Sequence, residues 1–231
     1  MSNPQGATHG AVEAIENYIR DHRLKAGDLL PSESELCEIL GLSRSPVREA
    51  MRILAALDIV QVRRGFGTVV STLSLKPLIA GLTLRVSLDQ EHSATHLLQI
   101  VSTREALEKS VAGELVTAHT SESLAAMRDI VSEMLDSYLS TGYYAHHDRR
   151  FHTAMLEPIE NELIRELCDA LWQVHGTVLP LLKLPASEEL ERTVRSHYVL
   201  VDAIAGGDPT VVRDAIRDHY RPLRSVVSAL I

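Results

Sequence analysis

The sequence predicts a mainly α-helical chain of two parts, with one small β element near the N-terminus. Three observations predict it. Aromatic residues make up 4% of the 231 residues while hydrophobic residues reach 45%, a balance that favours helices packed by aliphatic side chains over a β-sandwich. Apolar residues recur at three- and four-residue spacing through most of the chain, separated by Gly, Pro and capping residues. A single segment, "IVQVRRGFGTVV", is β-rich on both sides of a glycine-bearing turn.

Composition narrows the class further. A charged fraction of 23% is ordinary for a folded protein and far from a disordered one. The N-terminus lacks the basic-then-apolar pattern of a signal peptide, and no apolar run is long enough to span a bilayer. Cys37 and Cys168 lie far apart and suggest no disulfide framework, so both read as small buried residues of a cytoplasmic protein. The net charge of −8 is uneven: residues 1–74 hold 8 Lys+Arg against 9 Asp+Glu, and the remainder holds 15 against 22. In the first part Arg44, Arg48, Arg52, Arg63 and Arg64 face only Glu49 and Asp58 locally, which leaves a small basic patch.

The elements of the first part follow in order. Ala11 to Leu24 is an amphipathic helix with Val12, Ile15, Ile19 and Leu24 near one side. In "LLPSESELCEILG", Ser32 and Glu35 form a capping box, Leu36, Ile39 and Leu40 give an apolar face, and Gly41 stops the helix. In "SRSPVREAMRILAAL", Ser45 is placed to cap and Pro46 to open the next helix, with Val47, Met51 and Leu54 on one stripe. Two helices joined by a short glycine-containing turn make a helix-turn-helix, whose second helix enters the major groove by its N-terminal end. Ser43, Arg44, Ser45 and Arg48 occupy that end, where an arginine donates two parallel hydrogen bonds to guanine or clamps a phosphate. The alternative is a solvated helix face with stray arginines. The hairpin around Arg63-Arg64-Gly65-Phe66-Gly67 then reads as a basic wing, and helix, turn, helix and wing in that order favour DNA binding.

The stretch from Ala11 to Val70 resembles the winged-helix domain of the GntR family of bacterial transcription regulators, most densely at "LPSE", "SRSPVREA" and "RRGFGT". The resemblance implies DNA contacts by Ser43, Arg44, Ser45 and Arg48 and by Gly65 in the wing, flanked by Arg63 and Arg64. Two departures stand out. Ser34 takes the place of a common arginine that helps hold DNA, and Asp58 that of a common glycine before the wing, a change expected to alter the wing's angle.

Polar, proline-containing Ser71 to Pro77 is a linker candidate. Beyond it the pattern gives helices at Leu75 to Leu88, Ala94 to Ala118, Glu122 to Leu139, Tyr143 to Leu156, Asn161 to the Pro180–Pro185 region, and Ser187 to Ala205. A last helix is opened by Asp208-Pro209. This is a bundle of six or seven helices. The expected domains are a winged helix-turn-helix over 1–71, a linker and possible extra helix over 72–92, and an all-helical effector-binding and dimerisation domain over 93–231.

Within "YYAHHDRRFHTAM", Asp148 and His152 stand four residues apart and so project from one helix face, a spacing that lets both reach one ion. A hydrogen-bonded surface pair has the same spacing, and His146 and His147 are expected to face solvent. The second part looks like the FCD effector domain of the FadR subfamily. The likeness is carried by "REALE" (Arg104 to Glu108), "DRRFH" (Asp148 to His152), Asn161, "HYVLVDAI" (His197 to Ile204) and "DAIRDHY" (Asp214 to Tyr220). It implies four metal ligands, Asp148, His152, His197 and His219. Three imidazoles and one carboxylate suit a divalent transition metal such as Zn²⁺ or Ni²⁺. Arg104 is a candidate partner for an effector carboxylate, because its planar fork fits two oxygens; the alternative is an ion pair with Glu105 or Glu108 on the helix surface.

The expected protein is therefore a homodimeric transcriptional repressor on a pseudo-palindromic double-stranded operator, without membrane association and without enzymatic activity. A small organic acid at the metal and Arg104 would modulate its operator affinity. A metal-dependent enzyme acting on small carboxylates, and a metal-responsive regulator with no organic effector, are the alternatives.

Overall fold

Burying an apolar stripe on each helix requires partners, and two separate cores supply them. A computed structural model describes residues 4–182 and 188–231. Each core belongs to its own unit of the chain, one spanning residues 1–78 and the other 79–231.

In the first unit, α1 (Pro4–Asp21), α2 (Glu33–Leu40) and α3 (Arg44–Ala56) precede a hairpin of β1 (Val60–Arg63) and β2 (Gly67–Val70). Ala11, Ile15, Leu36, Val47, Ala50, Leu54, Val60 and Val70 are its buried core, so the stripe read on α3 does face inward. Helix α2 is bounded as its residues dictate: Ser32 and Glu35 bond reciprocally, and Gly41 closes the helix in the left-handed conformation at φ 65°. Helix α3 begins earlier than expected. Ser43, not Ser45, is its N-cap, and Pro46 falls at the third helical position. That position still lies in the first turn, where a backbone N–H has no helical partner, so proline costs little there. Helix α1 also starts earlier than its apolar pattern, at Pro4.

The two strands pair antiparallel, with Val60 opposite Val70 and Arg63 opposite Gly67. A further bridge joins Leu29 to Val69 and adds a short third edge that the sequence pattern did not reveal. Gly65 turns the tip at φ 77°, which a side chain would resist.

The second unit holds α4 (Lys76–Leu88, whose first residues close the first unit), α5 (Ser93–Ser110), α6 (Ala112–Ala118), α7 (Ser121–Thr141) and α8 (Ala145–Leu156), followed by α9 (Glu162–Val178), α10 (Glu188–Gly206) and α11 (Pro209–Ser228). Short 3₁₀ turns occupy Gln90–His92 and Leu179–Leu182. The long helix expected from Ala94 to Ala118 is broken at Val111, which raises the number of segments among the described residues to eight. The expected helix start at Ser187, and the Pro185 limit before it, lie outside the described residues. Asn161 caps α9 and Asp208 caps α11, with Pro209 at its first position, as their residue types require. Pro222 sits inside α11 without ending it. Helix α11 packs on α10 and α5, α5 on α9, and α8 on α7 and α9. Leu97, Leu115, Val131, Met134, Phe151, Met155, Leu200 and Ile216 lie fully or almost fully buried between them. No helix among the described residues is long and apolar enough to cross a membrane.

Candidate metal centre and DNA-reading face

Asp148 and His152 project from one face of α8, as their spacing requires, and that face is turned inward: the two are only 7% and 5% exposed. The packing of α10 and α11 brings His197 and His219 to the same point. One donor atom from each of Asp148, His152, His197 and His219 lies within 4.8 Å of every other, and all four residues are buried. Asp148 Oδ1 stands 3.1 Å from His197 Nε2 and 3.9 Å from His152 Nε2.

The far side of each group is engaged elsewhere. His197 Nδ1 lies 3.1 Å from the carbonyl of Val194, and His219 Nδ1 lies 2.7 Å from Ser196 Oγ. His152 Nδ1 stands 3.1 Å from Glu108 Oε1. The Trp172 indole N–H donates to Asp148 Oδ2. Such outer contacts fix ring orientation and leave one atom per residue facing the common centre.

Electrostatics favours the ligand-competent protonation states of His219 and Asp148. Burial and the neighbouring His197 and His152 hold the His219 pKa well below the usual imidazole range, so the ring stays neutral. Burial alone would raise the Asp148 pKa, but the His197 hydrogen bond, the interactions with His152 and His197 and the Arg104 charge bring it well below the usual carboxylate range. A neutral imidazole and an ionised carboxylate are the forms that bind metal, and a buried set of three nitrogens and one oxygen fits a divalent transition metal.

A cavity of about 380 Å³ opens on this centre, lined among others by Asp148, His152, His219, Arg104, His175 and Tyr220. Arg104 is not on the helix surface. It is 1% exposed, 3.5 Å from Glu108 Oε1 across one helical turn, and its Nη1 lies 3.3 Å from His175 Nδ1. Its Nε and Nη2 have no hydrogen-bond partner, and neither do His175 Nε2 and Glu108 Oε2. Burial and the Arg104 charge push the His175 pKa down to about 3, so His175 remains a neutral acceptor toward Arg104. Tyr220 donates to Glu108 Oε1 at 2.8 Å. Unsatisfied buried donors beside a cavity are costly unless something fills it.

Sequence reasoning missed His175, Trp172, Ser196 and Tyr220, and it considered Glu108 only as a surface ion-pair partner of Arg104, whereas the pair is buried. Two signals were available: Glu108 follows Arg104 by one turn within "REALE", and Tyr220 follows His219 within "DAIRDHY". His146 is exposed as expected, but His147 is half-buried, 3.9 Å from Glu133. Cys168 is buried and its pKa is pushed up to about 12, chiefly by burial, whereas Cys37 is only partly covered.

In the first unit Ser43, Arg44, Ser45 and Arg48 are all exposed at the start of α3, and Arg63, Arg64 and Gly65 are exposed at the hairpin tip. Among the described residues none of these four arginines has an ion-pair partner, whereas Arg52 is paired with Glu49 at 3.1 Å. Ser43 makes no side-chain cap, so the amides of the first turn keep their capacity for an external acceptor. Ser34 is exposed at the start of α2. Asp58 adopts the left-handed conformation itself, at φ 54°, and accepts hydrogen bonds from Ser71 Oγ at 2.9 Å and Ser74 N at 3.1 Å. The departure from glycine thus keeps the turn and ties the root of the wing to the segment that leaves it.

The chain matches the family model described as "Bacterial regulatory proteins, gntR family" over residues 7–70, and that of the FCD domain over residues 99–222, more than half of its length. It is 24% identical to the galactonate operon transcriptional repressor of Escherichia coli (strain K12), over 82% of this chain and 82% of that one. It is 28% identical to the Glc operon transcriptional activator of the same strain, over 92% of this chain and 85% of that one. Among solved structures, "Streptococcus agalactiae GntR" aligns over 94% of this chain and 99% of that chain at a TM-score of 0.65 and 23% identity, a likeness of fold. The matched families and relatives are transcriptional regulators.

Proposed function

This chain belongs to the gntR family of bacterial regulatory proteins as a DNA-binding transcriptional regulator of FCD type, and from that premise we propose that it is a homodimeric repressor controlled by a small carboxylate at a divalent metal centre. The observation that carries the reading is the meeting of Asp148, His152, His197 and His219 beside a cavity lined also by Arg104, whose Nε has no hydrogen-bond partner.

Asp148, His152, His197 and His219 would hold the ion, Zn²⁺ or Ni²⁺ by donor type, and Arg104 would take one end of an acid. The bound metal supplies an electrophilic anchor for a carboxylate oxygen. Charge supports the pairing. Arg104, Glu108 and Asp148, joined through His152, carry a net charge of −1. A divalent ion reverses it to +1, and a single carboxylate restores neutrality, which a buried site favours. The galactonate in one relative's name is a polyhydroxylated monocarboxylate and fits that class. An activator stands among the relatives too, so the repressor role rests on the expected loss of operator affinity with acid bound.

DNA contact falls to Ser43, Arg44, Ser45 and Arg48, with Arg63, Arg64 and Gly65 at the wing, in the bacterial cytoplasm where the chromosome lies. Two such heads in a dimer read two half-sites of a pseudo-palindromic operator. The acid changes DNA affinity only as far as it binds one conformation of the protein better than the other.

Elemental analysis after dialysis tests the centre: about one ion per chain is expected for wild type and almost none for the His197→Ala/His219→Ala variant. An unchanged stoichiometry in that variant removes the site from these residues. Operator binding by the metal-loaded protein, measured with and without galactonate, tests the control. Release of a promoter fragment by chelator alone, with no response to acids, would instead favour direct metal sensing.

A further inference from the structure

Trp172, the one tryptophan of the chain, stands on α9 against the metal centre. Its indole N–H donates to Oδ2 of Asp148. The other oxygen, Oδ1, is the one facing His197 Nε2 at 3.1 Å and His152 Nε2 at 3.9 Å. The carboxylate is thereby divided, one oxygen toward the imidazoles and one toward the indole.

The ring is fixed from two directions. A Cβ on Gly176 would stand 3.0 Å from Cζ3 and 3.2 Å from Cη2 of Trp172, closer than a side chain tolerates without displacing the ring. The guanidinium of Arg149 lies 5.9 Å from the ring centroid and is itself held by Asp169 through hydrogen bonds of 2.8 and 3.0 Å. The same indole lines both the cavity over the metal centre and a second cavity of about 300 Å³ bordered by Leu156 and Cys168, so it stands between the two.

We infer that Trp172 is a positioning residue of the metal centre: it occupies Asp148 Oδ2 and confines the carboxylate to ligation through Oδ1 alone. The inference rests on the metal reading proposed above. A bare carboxylate can close on an ion with both oxygens, and that raises the coordination number at the expense of positions left for an incoming acid. An indole that reserves one oxygen keeps such a position open. Outer partners of this kind tune metal affinity about 10–100-fold.

The test uses the full chain and Co²⁺ alone as probe, because its visible absorption reports coordination number. Trp172→Phe keeps an aromatic ring and removes the donor. The expected result is Co²⁺ affinity about 10–100-fold weaker with an altered visible spectrum, in a protein that still unfolds cooperatively without metal but at a lower midpoint, because a buried Asp148 oxygen has lost its donor. Gly176→Ala displaces the ring without touching the donor and should weaken Co²⁺ binding in the same direction. Its effect should vanish in the Trp172→Phe background, since a phenyl ring lacks Cζ3 and Cη2. Affinity within about twofold of wild type and an unchanged spectrum in Trp172→Phe overturn the inference. A Gly176→Ala loss that persists undiminished beside Trp172→Phe also overturns it. If Trp172→Phe does not fold, Gly176→Ala decides alone, and unweakened binding counts against the inference. A wild-type protein that takes up no Co²⁺ overturns the metal reading itself, a result distinct from the others.

Discussion

Ser43, Arg44, Ser45 and Arg48 sit in one short stretch of sequence and are all exposed, whereas Asp148, His152, His197 and His219 come from three helices and are all buried. The two regions place polar chemistry under opposite constraints. At the start of α3, unpaired arginines cost little because water solvates them until a phosphate or base replaces it. Around the metal centre the charges of Arg104, Glu108 and Asp148 have left water, and each needs a partner there. The difference teaches where a substitution is felt: in the bundle it reaches the whole fold, and on α3 it reaches only the ligand.

Glu108→Gln is the largest expected break of that contrast. It leaves Arg104 buried without its counter-charge and removes the support behind His152, so a loss of roughly 3–5 kcal/mol in denaturant unfolding is expected. A loss within about 0.5 kcal/mol would show that water already solvates the pair. Arg48→Ala should do the reverse. Operator affinity is expected to fall by about 1–3 kcal/mol if the side chain reads a base, with unfolding stability unchanged within about 0.5 kcal/mol. Operator binding equal to wild type at matched salt would move the recognition face elsewhere.

Arg64→Ala, at the wing tip, sharpens the second half of the comparison. A phosphate contact there predicts weaker binding to all sequences alike and a salt slope reduced by about 1. Loss of sequence preference instead would assign Arg64 to a base.

The smallest effect belongs to Asp58→Asn, at the root of the wing. Hydrogen bonds from Ser74 and Ser71 hold the Asp58 pKa below the usual carboxylate range. A carboxyl whose folded pKa is depressed binds fewer protons folded than unfolded, so its contribution is complete above the unfolded value of about 3.9 and is lost as pH falls through the folded one. The wild-type advantage over Asp58→Asn, below about 1 kcal/mol at this partly exposed position, should be present at neutral pH and disappear in acid. A pH-independent difference would assign it to the backbone turn.

Legibility in the sequence follows the same division. The capping box of Ser32 and Glu35, the stripe on α3 and the Asp208-Pro209 start of α11 are local devices, and local spacing reveals them. The shared face of Asp148 and His152 was legible for the same reason. The approach of His197 and His219 was not, because it depends on how α10 and α11 cross α8, and only the family likeness pointed to it. The backing groups were less legible still. Glu108 looked like one end of a surface pair with Arg104, and nothing in the spacing distinguishes an exposed i, i+4 pair from a buried one. The break at Val111 and the bridge from Leu29 to Val69 are likewise products of packing and not of pattern.

One consequence follows from the distance along the chain between the outermost donors. Asp148 and His219 lie in α8 and α11, with α9 and α10 between them. An ion gripping both acts as a removable clasp on that long loop, and closing a long loop strips conformations from the unfolded chain much as a disulfide does. Loading would then raise the melting midpoint of the helical bundle well beyond what four coordinate bonds suggest locally, and a chelator would slacken the part of the molecule that carries the signal while leaving the three-helix head as firm as before.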